Sequence, residues 1–121
     1  MPGGSKYEGP PEALDAYRLV VEASQSDTEV KGAKNPYTSR NGHMFSFLDP
    51  EGTMALRLSD ELTAEFRSSY TSGDVIQYGA TMRGYTSVPA ELRADSARLA
   101  VWFDRSWKWI GSLPAKPTKK K

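Results

Sequence analysis

Few side chains in this sequence could carry out bond chemistry. There is one histidine, His43, and no cysteine, so thiolate catalysis, disulfides and cysteine-ligated metals are excluded. His43 could complete a Ser–His–Asp triad with some serine and some aspartate, but no GxSxG elbow or comparable signature marks a nucleophile. A metal site would need His43 plus carboxylates, and the chain has no HExxH, no EF-hand loop and no second histidine. Neither a Walker loop nor GxGxxG is present to cradle a nucleotide phosphate. His43 follows Asn41-Gly42 and reads as a turn or strand-edge residue. On these grounds the chain reads as non-enzymatic, with no catalytic residue, metal or cofactor.

One spacing does suggest recognition. Arg98, Trp102, Arg105 and Trp109 alternate cation and indole along one edge of a helix. Such a ladder could stack nucleic-acid bases or take an acidic partner. The same spacing also lets arginine stems cover the edges of half-buried rings. Arg83 and Tyr85, two apart on a strand, are further candidates. With Tyr78 they could offer polar contacts to a small ligand held between sheet and last helix. Lys116, Lys119, Lys120 and Lys121 place four of 16 basic residues in the tail, leaving 12 against 15 acidic ones elsewhere. The formal net charge of +1 argues against a general nucleic-acid binder. The tail is either a solubilising segment or an electrostatic anchor for nucleic acid.

The elements that must position these residues centre on Met44 to Leu58. Asp49-Pro50-Glu51-Gly52 has the residues of a type I turn. The flanking strands place Phe45 and Phe47 on one face and Met44, Ser46 and Leu48 on the other. Beyond the turn, Met54, Leu56 and Leu58 alternate with Ala55 and Arg57. A lone hairpin is marginal in water, so more strands and covering helices are required.

The remaining segments supply both. Pro10 and Pro11 open a helix ending near Ser24, with Leu14, Tyr17, Val20 and Val21 as its apolar stripe. Residues 28–42 read mostly as loop with room for a short strand. Within that stretch Asn35, Tyr37, Thr38, Arg40 and Asn41 are either a binding loop or turn chemistry. Ser59 caps a second helix running to about Tyr70. Residues 75–88 read as two further strands. In the second of them Arg83, Tyr85 and Ser87 share one face, and Met82, Gly84, Thr86 and Val88 the other. Pro89 opens the last helix, or a short turn leading into one capped near Asp95 or Ser96. On it Leu92, Leu99, Trp102, Phe103, Ser106, Trp107 and Ile110 form one arc, two of the tryptophans are expected in the core, and Gly111 ends the helix.

The predicted fold class is α+β: an antiparallel sheet of four to five strands in two hairpins, packed against helices, with a long C-terminal helix. With 121 residues the chain suits a single domain at 10–113, flanked by a flexible leader at 1–9 and a basic tail at 114–121. No apolar run reaches the ~18 residues of a membrane span, and the N-terminus lacks a signal-peptide core, so the reading is cytoplasmic.

Three motifs in order carry a family resemblance: Met44-Phe45 with Gly52, Met82-Arg83-Gly84-Tyr85 with Val88, and Leu99 to Trp102 running into Ser112-Leu113-Pro114-Ala115-Lys116. Together they resemble the N-terminal domain of the TfoX/Sxy family over about two thirds of the chain. The resemblance implies an α+β domain and regulation of natural competence and DNA-uptake genes, by protein contact and not by catalysis. A protein partner is therefore expected.

Overall fold

The computed structural model describes residues 7–24, 29–32, 35–77 and 79–114. Tyr78 and the four tail lysines lie outside the described residues. In chain order the described elements are α1 (Pro11–Ala23), β1 (Tyr37–Arg40), β2 (His43–Leu48), β3 (Met54–Arg57), α2 (Asp60–Ser69), β4 (Asp74–Gln77), β5 (Ala80–Val88), α3 (Ala90–Arg93) and α4 (Ser96–Gly111). Among the described residues the strands form one antiparallel sheet in the order β1-β2-β3-β5-β4, an α+β fold with a long final helix.

Local chemistry explains most boundaries. Asn41 and Gly42 both take positive φ, 55° and 80°, in the two-residue connection between Arg40 and His43. This is the type I′ geometry whose twist matches a hairpin, and it turns Tyr37–Arg40, within the stretch expected to be mostly loop, into an edge strand. The turn after β2 is locked by its aspartate: Asp49 Oδ1 accepts from the backbone nitrogens of Glu51 and Thr53 at 2.9 and 2.8 Å. Ser59 Oγ accepts from Leu62 N at 3.1 Å, and Asp95 Oδ1 from Arg98 N at 3.2 Å, capping α2 and α4. Residues 7–9, expected to belong to a leader, lie against the turn after β2: the Tyr7 hydroxyl donates to the Asp49 carbonyl at 2.6 Å.

The main core lies between one face of the sheet and the pair α1 and α4. Phe45, Leu48, Met54 and Leu56 from the strands meet Tyr17, Val20, Leu99, Phe103 and Ile110 from the helices, all essentially inaccessible. One polar cluster is embedded there. Ser46 Oγ bonds both the Tyr17 hydroxyl at 2.6 Å and Thr38 Oγ1 at 2.5 Å, so each buried hydroxyl has a partner. Burial holds the Tyr17 phenol far above its ordinary pKa.

Strict alternation fails at two places. The pairing of β1 with β2 slips between Thr38 and Ser39, which oppose Ser46 and Met44 and leave Phe45 without a partner in register. That bulge turns Phe45 and Ser46 to the helices, so Phe45 and Phe47 are buried in different clusters and not on one face. On β5, Gly84 at φ 85° interrupts the alternation, and Met82 and Tyr85 join the same cluster instead of opposite faces.

Candidate functional site

The two faces of the sheet differ. The face toward α1 and α4 is filled. The other carries a smaller cluster of Phe47, Ala55 and Val75, flanked by half-buried Tyr37, Met44, Met82 and Tyr85, and the described helices do not pack over it. All five strands contribute to it. Phe47 sits opposite both Tyr37 and Ala55 in register, and the Tyr85 ring lies 5.4 Å from the Phe47 ring. The Tyr85 hydroxyl crosses the face to donate to the Met44 carbonyl at 2.6 Å, which fixes the ring. Burial pushes the Tyr85 phenol up to about 12, against a smaller opposing pull from Arg57.

This cluster leaves an open apolar cleft of about 340 Å³ lined by Pro36, Tyr37, Met44, Phe47 and Met82, with Asn35 and Asp49 at its rim. Its size is at the lower end of ligand and anchor-residue pockets. Methionine supplies an adaptable wall, and the tyrosine and phenylalanine rings a rigid one. Asn35 and Tyr37 from the suspected binding loop reach this cleft, whereas Thr38 is buried against Ser46 and Arg40 packs on Trp107. The signal in the sequence was Asn41-Gly42, the two-residue turn that brings Tyr37 opposite Phe47.

The Arg/Trp series of α4 is divided by the fold. Trp102 is buried against Phe66 and Tyr70, with ring centroids 4.9 and 6.3 Å away. Arg105 covers its edge, 4.6 Å from the ring, and pairs with both oxygens of Glu65 at 2.7 and 2.9 Å. That contact holds the Glu65 carboxyl below its ordinary pKa. Arg98 turns back to Asp95 at 3.7 Å. Trp107 and Trp109 are half-buried, so Trp102 is the one fully core tryptophan. Trp109 has Arg57 of β3 near its ring, at 5.5 Å, and not a neighbour on its own helix.

Tyr85 belongs to the outer apolar face and exposed Arg83 lines a second cleft with Arg57 and Trp109, while both border a third cleft with Asp60, Arg67 and Asp74. The deep space expected between sheet and last helix is packed by Phe45, Phe103 and Ile110. His43 Nε2 bonds the Pro114 carbonyl at 2.8 Å. Among the described residues no group of His, Asp and Glu could hold a metal ion, and no helix is long and apolar enough to cross a membrane. No family model, curated protein or solved structure matches the chain.

Proposed function

We propose that the protein is a non-enzymatic interaction module that receives an apolar segment of a protein partner in the cleft on the open face of its sheet. The observation that carries this reading is the cleft itself: Tyr37, Met44, Phe47 and Met82 converge on an accessible concavity on a rigid sheet, with the rotamer of Tyr85 pinned beside it. Aromatic and methionine side chains around a cleft suit the anchor residues of a partner protein. The resemblance to the TfoX/Sxy N-terminal domain supports a regulatory role, in competence and DNA-uptake gene control, exercised by such contact.

Panning random displayed peptides against the immobilised full chain is expected to enrich sequences with paired apolar anchors. Enriched peptides should shift the amide resonances of Tyr37, Met44 and Phe47, and bind Met82→Asp at least about tenfold more weakly. Failure to enrich any peptide, or resonance shifts confined to α1 and α4, overturns the assignment. Robust turnover in a hydrolase or transferase screen, lost in His43→Ala, overturns the non-enzymatic part.

A further inference from the structure

Five of the eight described arginines are engaged by an oxygen: Arg40, Arg67, Arg93, Arg98 and Arg105. Among the described residues, Arg18, Arg57 and Arg83 have neither hydrogen bond nor ion pair. Two of those three meet in one place. Arg57 at the end of β3 and Arg83 on β5 line the same cleft of about 440 Å³ with Trp109 of α4 and the first residues of α2.

Gly84, at φ 85°, lies between them on the floor of the cleft. The Arg57 side chain lies across Gly84, with its Cγ and Nε 3.7 Å from where a Cβ would stand. Arg57 also flanks the Trp109 indole at 5.5 Å. One acidic side chain, Asp60, faces the same cleft. It lies in the first turn of α2, at the positive end of the helix, and makes no ion pair with either guanidinium.

From this geometry we infer that the Arg57–Arg83–Trp109 cleft binds single-stranded nucleic acid, the guanidiniums taking phosphates and the indole stacking a base. Unpaired guanidiniums have the fork that matches phosphate oxygens, and an indole offers a sequence-tolerant stacking surface. Asp60 can accept from a base amino group. An acidic peptide would use the cations but would leave the indole idle, so the combination favours a polyanion with flat rings. This site is distinct from the apolar cleft, and either assignment can fail without the other.

The test is titration of the full chain into a fluorescein-labelled oligothymidylate of about 20 nucleotides, followed by anisotropy and by tryptophan emission. Binding at low salt with quenched emission is expected. The Arg57→Gln/Arg83→Gln variant should bind at least about tenfold more weakly and lower the slope of log K on log salt by about 1.4, at ~0.7 per phosphate contact. Trp109→Ala removes the stacking surface and should bind at least about fivefold more weakly and lose most of the quench. Arg83→Gln alone, at an exposed position, carries the test if Arg57→Gln misfolds. The inference is overturned by absence of binding at low salt, or by affinity unchanged in the arginine variants. Loss only when Lys116, Lys119, Lys120 and Lys121 are replaced by alanine in the full chain also overturns it. Competition by polyglutamate as strong as by the oligonucleotide would assign the cleft to an acidic protein instead.

Discussion

The guanidinium carbon of Arg40 lies 3.5 Å from the centroid of the Trp107 ring, and its Nη1 donates to the Trp107 carbonyl at 2.7 Å. A cation at the end of β1 thus serves the C-terminal part of α4, where the helix dipole is negative. Gly111 makes room for it, since a Cβ there would stand 2.3 Å from Arg40 Nη1.

Arg40→Ala is therefore expected to cost about 2 kcal/mol in urea unfolding, from the charged hydrogen bond and the cation–π contact together. Gly111→Ala should eject the same guanidinium. The double variant should then cost little more than Arg40→Ala; additive losses would show that the two residues act separately.

Ser46 is the hub of the buried hydroxyl cluster, bonded to Tyr17 and Thr38. Ser46→Ala leaves two buried hydroxyls without that partner and should cost about 2–3 kcal/mol. Tyr17→Phe leaves Ser46 paired with Thr38 and should cost about 1 kcal/mol. Equal losses in denaturant titrations of the two variants would contradict the hub arrangement.

Tyr85 titrates at about 12 in the folded protein against an ordinary 10.0. A folded value above the unfolded one means the contribution is complete below about pH 10 and is lost as pH rises toward 12. Tyr17 is shifted in the same direction. Stability should fall through this window, and Tyr85→Phe should make the fall shallower. The tyrosinate absorbance removed by that substitution should have its midpoint near 12; a midpoint near 10 would refute the buried, bonded phenol.

On α4 two neighbours of one contact should behave oppositely. Trp102→Ala empties the cluster with Phe66 and Tyr70 and should cost about 3–5 kcal/mol. Arg105→Gln breaks a solvent-exposed pair with Glu65 and should leave the unfolding midpoint nearly unchanged. Calorimetry of both variants decides this.

What could be read in advance was whatever closes within about four residues: the Asp49 turn, the Ser59 and Asp95 caps, and the stripe of α1. Interactions between distant segments could not. The bulge that parts Phe45 from Phe47 depends on how β1 meets β2, and the twist at Gly84 on how β5 meets β3 and β4. Helical spacing placed Trp102 and Arg105 on one edge of α4, but only tertiary structure brings Glu65 to Arg105 and Arg57 to Trp109. Both clefts are assembled by strand pairing, which is why neither was visible as a motif.

The order β1-β2-β3-β5-β4 sets a timetable for synthesis. β3 acquires its second neighbour only when β5 pairs with it, from Arg57 opposite Tyr85 to Met54 opposite Val88, so a nascent chain that ends before β5 holds three paired strands with one naked inner edge. Ribosome-stalled chains ending before Ala80 should recruit chaperones or clump, and those released after α4 has emerged should not.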